Sequence, residues 1–148
     1  MIIYNFNEID RSKKPIIYTQ GVFDLLHYGH INYLNSALDL GKTLIIGLDS
    51  DEKVKHRKGD SRPIQNWNIR AENLINSKLV NYVFKKHLNV DSLNYINLIK
   101  PDYIVIPSEY KICIKRKKYL EDHNIKLISI NRSNDISTTK IIEFKKCL

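Results

Sequence analysis

The stretch PIIYTQGVFDLLHYGHINYLNSALDLGKTLIIGL, residues 15–48, decides the fold. Its opening, PIIYTQ (15–20), is a β-branched and aromatic run ended by Gly21, which reads as a buried strand. From Tyr28 to Leu40 the apolar residues Ile31, Leu34, Ala37, Leu38 and Leu40 recur at three- and four-residue spacing, which argues a helix closed by Gly41. TLIIGL (43–48) is then a second strand. Two strands joined through a helix make a unit of a parallel sheet, since parallel neighbours need a crossover of this kind.

The same alternation continues outward. Asp49 to Pro63 is polar, contains Gly59, and reads as a long loop. Helix returns over 66–77 with a stripe of Ile69, Leu74 and Ile75, and VNYVF (80–84) is a third strand. DSLNYINLIK (91–100) is helical with Asp91 as its cap, DYIVI (102–106) is strand four, 113–122 is helical, and KLISI (126–130) is strand five. A last helix is expected from Thr138 to Phe144, capped by Ser137 or Thr138. Residues 1–14 read as a polar lead-in, and 15–148 as a single domain. The fold class is α/β: a doubly wound parallel sheet of about five strands in a Rossmann-like three-layer arrangement.

Composition narrows the function classes. The chain has 148 residues, enough for one self-sufficient core, and a formal net charge of +8. Cys113 and Cys147 are too few for a disulfide framework or a four-ligand zinc site. The start lacks a basic n-region followed by a long apolar core, and no run approaches the ~18 apolar residues of a membrane span. A soluble, cytoplasmic protein is the expectation. Basic charge suggests nucleic acid, but the chain holds 18 Lys against 6 Arg, with 23 Ile and 15 Asn, a composition that AT-rich coding sequence produces unaided. The basic run KICIKRKK (111–118) has no interleaved aromatics, so it reads as a solvated face. Steering an anionic small substrate is a further use for the charge.

Ligands of such sheets bind at the carboxyl ends of the strands, near the point where strand order reverses. The segment leaving the first strand there is GVFDLLHYGH (21–30). Gly21 permits a sharp exit or a close backbone approach, and Gly29 does the same at the start of the helix. His27 and His30, three apart on a first turn, face one side, where open helix amides also favour an anion. Together these suit a phosphate chain. A zinc reading would need a third Cys or acidic ligand at the usual spacing, and none stands there. The dinucleotide and P-loop glycine patterns are both absent.

GVFDLLHYGHINYL resembles the GxFDxxHxGHxxxL signature of the cytidylyltransferase-like nucleotidyltransferases. Three further segments follow in that family's order. RKGDSRP (57–63) is similar to its basic loop, IRAENL (69–74) to the helix carrying an arginine, and NRSNDISTTKII (131–142) to the RTxGxSTTxII motif of enzymes making CDP-alcohols. The resemblance covers about residues 15–146. It implies transfer of a nucleotidyl group from a nucleoside triphosphate to a phosphorylated small molecule, with release of pyrophosphate and no covalent enzyme intermediate. Such a transition state gathers charge on phosphoryl oxygens, so positioning and cationic stabilisation dominate.

By position in these motifs, the resemblance implies roles for individual residues. His27, His30, Lys58 and Arg132 would be catalytic. Gly21, Val22, Phe23, Gly29, Ser137, Thr138 and Thr139 would join the histidines and Arg132 around the nucleotide. Asp24, Asp51, Arg62, Arg70 and Glu109 would contact the acceptor or the site rim, Asp24 through a loop amide or the acceptor itself. Mg²⁺ would shield the phosphates, held mainly by nucleotide oxygens, with no protein metal ligand expected. A homodimer is expected from the family and from the general prevalence of two-fold pairs. Arg132 and the FDLLHYGH phrase resemble glycerol-3-phosphate cytidylyltransferases and favour CTP, whereas KGDSRPI is similar to the heptose-1-phosphate adenylyltransferase loop and favours ATP. CTP is the preferred expectation, and a nucleotide-binding module without turnover is the alternative of another class. The chain departs from the family at Val22, at Asp135 where the motif has glycine, and at IPSEY (106–110), where Pro107 lacks a backbone donor.

Overall fold

The computed structural model describes residues 1–131 together with the strand segments 136–138 and 144–145. Its elements are strand β1 (Ile16–Gly21), helix α1 (Tyr28–Leu38), β2 (Thr43–Asp49), α2 (Asp51–Lys58), α3 (Trp67–Asn76), β3 (Tyr82–Lys86), α4 (Ser92–Ile99), β4 (Tyr103–Pro107), β5 (Ile112–Cys113), α5 (Ile114–Asp122), β6 (Lys126–Ile130), β7 (Ile136–Thr138) and β8 (Phe144–Lys145). The main sheet runs β3-β2-β1-β4-β6-β7. Its first five members are parallel, with Ile16 to Gly21 in register with Thr43 to Leu48 and Ile17 opposite Tyr103. β7 adds an antiparallel edge, Ile136 facing Ile130, while β5 and β8 pair separately.

Consecutive strand residues point to opposite faces, so a doubly covered strand must be apolar throughout. Ile17, Leu44 and Ile46 pack on one face with Leu34 and Ala37 of α1 and with Trp67, Ala71 and Leu74 of α3. Ile16, Tyr18 and Ile45 pack on the other with Tyr95, Ile96 and Ile99 of α4 and Leu120 of α5. Each fully buried Ile or Leu contributes on the order of 1.5–3 kcal/mol, so these two clusters hold the three layers together. The order reverses between β1 and β4, one half of the chain winding out from each. The crevice at that point opens beside Gly21 and Pro107.

Three features differ from the sequence reading. Asp51 to Lys58 form α2 within the expected loop: the Ser50 hydroxyl caps it by accepting from the Lys53 amide, acids open it and bases close it. Only Val54 of that helix is buried, so it carries no apolar stripe. In α3 the inward positions are Trp67, Arg70, Ala71 and Leu74, and Ile69 is exposed. Ser137 and Thr138 lie on strand β7, where the open edge of β6 takes the β-branched Ile136 and Thr138, so the expected helix does not begin there. Of the rest of that expected helix, 139–143 lie outside the described residues and Phe144 falls on strand β8.

The lead-in packs on the sheet. Ile2 bridges to Val83 beside β3, the Ile3 amide donates to the Val83 carbonyl, and Ile3 and Ile9 are buried against the α4 and α5 face. Cys113 is buried and disulfide-bonded; the chain's other cysteine, Cys147, lies outside the described residues. Among the described residues no helix is long and apolar enough to cross a membrane.

Candidate active site

A cavity of about 210 Å³ sits at the carboxyl end of β1. Gly21, Val22, Phe23, Asp24, His27, Gly29, His30, Lys58 and Arg62 all line it, so residues scattered over forty positions of sequence meet as the motifs require. Gln20, Tyr33, Pro107 and Tyr110 complete the wall.

The two histidines are fixed by the helix start itself. His27 is the N-cap of α1: its Nδ1 accepts from the Gly29 amide at 3.0 Å, while the His27 amide donates to His30 Nδ1 at 3.2 Å. The rings stack with centroids 3.8 Å apart. Because each Nδ1 accepts a hydrogen bond, the neutral tautomer of each ring carries its hydrogen on Nε2. The pair is therefore oriented to present N–H donors. The imidazoles take up the amides of His27 and Gly29 at this helix start. Gly29 is required sterically: a Cβ there would stand 2.9 Å from the His27 ring.

The loop between β1 and α1 is held under strain. Phe23 and Leu25 have φ of 48° and 50°, a left-handed region costly for such side chains. Asp24 pins it, with Oδ2 accepting from the Ile64 amide at 2.7 Å and Oδ1 from Gln65 at 3.0 Å, and the Leu25 amide donates to Gln65 Oε1. Burial raises the Asp24 pKa, but the two amides and the nearby Arg70 and Arg62 outweigh it and hold the carboxyl below its ordinary range. Asp24 thus serves the loop-amide role of the two expected for it. Opposite, Lys58 is held below the usual lysine range by partial burial and by Arg57 and Arg62.

Arg70 and Asp51 do not line the cavity. Arg70 is fully buried behind it, donating from Nε to the Gln65 carbonyl, from one terminal nitrogen to the Val22 carbonyl, and from the other to Asp51 Oδ1 at 2.6 Å. It ties three segments of the wall together, which is a positioning role. Glu109 is exposed on the turn after β4 and is not among the lining residues. Arg132 and Thr139 lie outside the described residues, and for Ser137 and Thr138 the description is of their strand backbone.

A second, contiguous cavity of about 270 Å³ shares Gln20, Gly21 and Tyr110 with the first, and it contains residues the sequence reading missed. Asp49 and Lys86, at the carboxyl ends of β2 and β3, are each 2% exposed there. Arg57 pairs with Asp49 at 3.2 Å, and Lys86 Nζ donates to Gln20 Oε1 at 2.6 Å. The available signal was positional: charged residues at strand carboxyl ends belong to the ligand crevice of a parallel sheet. No group of three His, Cys, Asp or Glu among the described residues is placed to hold a cation.

Comparison with known proteins agrees with this geometry. The family model described as cytidylyltransferase-like matches residues 18–144. The chain is 42% identical over 102 residues to the bifunctional protein HldE of Campylobacter fetus, covering 69% of this chain and 22% of that protein. It is 36% identical over 134 residues to the protein of the same name from Helicobacter hepaticus, covering 90% and 27% respectively. The chain thus spans about a quarter of the length of these relatives. Among solved structures, a lipopolysaccharide core biosynthesis protein from Thermoplasma volcanium superposes with a TM-score of 0.66 at 25% identity, covering 84% of this chain and 98% of that one. A family match over most of the chain, on a fold whose strand reversal carries the HYGH turn, means that the protein belongs to the cytidylyltransferase-like nucleotidyltransferases.

Proposed function

We propose that the protein is an adenylyltransferase that joins ATP to a sugar phosphate, releasing pyrophosphate. The observation that carries this reading is the seating of the RKGDSRP segment: Lys58 and Arg62 line the cavity of His27 and His30, and Asp24 clamps the two residues that follow the segment, Ile64 and Gln65. That segment is the one similar to the heptose-1-phosphate adenylyltransferase loop. A neighbour named for lipopolysaccharide core biosynthesis, a sugar polymer, supports supply of an activated sugar. CTP with a polyol phosphate such as glycerol 3-phosphate is the second reading, favoured by the FDLLHYGH phrase and by Arg132, which lies outside the described residues.

In this reading an acceptor phosphate oxygen attacks the α-phosphorus in line. A new P–O bond forms as the bond to the β-phosphate bridging oxygen breaks, and pyrophosphate leaves with the electron pair. His27 and His30 donate from Nε2 to the α-phosphate oxygens, and Lys58 and Arg62 neutralise the departing phosphates. Mg²⁺ bound to the triphosphate would spread its charge. Ser137, Thr138 and Thr139 belong to the nucleotide side of the same proposal, as does pairing into a homodimer.

Pyrophosphate release with Mg²⁺ tests the reading, with ATP and CTP supplied separately against heptose 1-phosphate, glucose 1-phosphate, glycerol 3-phosphate and phosphocholine. Turnover with ATP and a sugar 1-phosphate is expected. Turnover confined to CTP and an alcohol phosphate would replace it with the second reading.

A further inference from the structure

The second cavity has a chemistry of its own. Its apolar part is formed by Ile96, Ile104 and Ile106, and five cations line it: Lys53 and Arg57 from α2, Lys86 from β3, Lys111 before β5 and Arg116 from α5. Among the described residues Asp49 is the single carboxylate in that lining, and it is shared between Arg57 at 3.2 Å and Lys86 at 4.0 Å. Among the described residues the lining is thus predominantly cationic, with Lys86, Arg57 and Arg116 gathered around a partly apolar pocket.

Lys86 marks this as a built site. A buried ammonium is costly to desolvate, and lysine is among the residue types least often enclosed. Its stem crosses the sheet over Gly47, where a Cβ would stand 2.8 Å from Lys86 Cδ and 2.5 Å from the Tyr18 hydroxyl. Its ammonium donates to Gln20 Oε1 at 2.6 Å and to Ser92 Oγ at 3.4 Å. Burial lowers its pKa to about 8; Asp49 opposes the fall, and Lys53, Arg116 and Arg57 add to it. The mutual repulsion of these cations is relieved by a bound anion, whereas a neutral polyol leaves it in place.

We infer that the acceptor is an acidic sugar phosphate, whose far end carries a second anionic group, carboxylate or phosphate, seated among Lys86, Arg57 and Arg116. This inference rests on the reading of the histidine cavity as the nucleotide site. The shared wall of Gln20, Gly21 and Tyr110 then makes the second cavity the natural place for the rest of the acceptor.

The test compares three acceptors with ATP: glucose 1-phosphate, glucuronic acid 1-phosphate and glucose 1,6-bisphosphate. At least one acid-bearing acceptor is expected to exceed glucose 1-phosphate in kcat/KM by 10-fold or more, and the better of the two names the group. Lys86→Gln and the more peripheral Arg116→Ala are each expected to shrink that ratio several-fold. Equal kcat/KM for all three, or a preference that survives both substitutions, overturns the inference while leaving adenylyl transfer standing. If no nucleotide is turned over, the transferase reading fails, and calorimetry on the protein alone still decides the pocket. Glucose 1,6-bisphosphate is then expected to bind at least 10-fold tighter than glucose 1-phosphate, with the difference reduced by Arg116→Ala. Equal affinities would overturn it.

Discussion

The imidazoles of His27 and His30 stack 3.8 Å apart, and the amide of the first donates to Nδ1 of the second. Helix capping and donor orientation are thus one arrangement, and they can be separated by substitution. Asn in place of His27 is itself a good N-cap but carries no ring donor. His27→Asn is expected to keep thermal stability within about 1 kcal/mol of wild type while pyrophosphate release falls 10²-fold or more. A parallel loss of stability and turnover would mean that His27 matters only as a cap.

Gly29→Ala tests the same geometry from the backbone. Alanine is the better helix former by about 1 kcal/mol, which offsets the cap lost as the His27 ring moves, so melting temperature should change little. Its Cβ displaces the His27 ring, and turnover should fall at least 10-fold. Unchanged kcat would show that the ring position is not critical.

Arg70 is expected to behave as a strut. Its three guanidinium contacts need a planar fork that lysine lacks, so Arg70→Lys should lower unfolding free energy by about 3 kcal/mol in urea titration. Wild-type stability in that variant would contradict the assignment.

Much of this was legible in the sequence, and the exceptions share a cause. β1, α1, β2 and α4 carry apolar periodicity, and the Asp91 cap is where its residue type places it. α2 has one buried residue, so periodicity was silent, although Ser50, the leading acids and the closing bases were cues. The hydroxyl run from Ser137 looked like a helix start because Ser and Thr serve equally as caps and as edge-strand residues. The burial of Arg70 depends on acceptors at Val22, Asp51 and Gln65, and that of Lys86 on Gln20, Gly47 and Ser92. Neither depth is written in the neighbouring sequence. Resemblance to a family signature, by contrast, pointed to Gly21, His27, His30, Lys58 and Arg62, which the fold brings to one cavity, while Asp51, Arg70 and Glu109, named on the same ground, stand off it.

Asp24 gives an acid-side expectation. Its folded pKa lies below its ordinary value, so the stabilisation it gives is full above about pH 4 and is lost as pH falls through the lower folded value. Unfolding titrations of wild type and Asp24→Asn should therefore converge at low pH and diverge on the way to neutrality. A difference constant with pH would mean that the carboxylate charge does not hold the loop.

Lys86 gives the alkaline counterpart with the opposite origin. Its pKa falls from the ordinary 10.5 to about 8 on folding, so between these values the unfolded chain binds the extra proton and stability rises with pH. Relative to Lys86→Met, wild type should gain up to about 1.4 kcal/mol per pH unit in that window. A flat difference from pH 8 to 10 would place the ammonium in water.

Nucleotidyl transfer at the His27–His30 cavity is tested by ³¹P NMR of a reaction with ATP, Mg²⁺ and a sugar 1-phosphate. A new pyrophosphate-linked pair of resonances from a nucleoside diphosphate sugar is expected, formed one-for-one with free pyrophosphate and absent with His27→Asn. Release of inorganic phosphate without that product, or equal product from the variant, would contradict it.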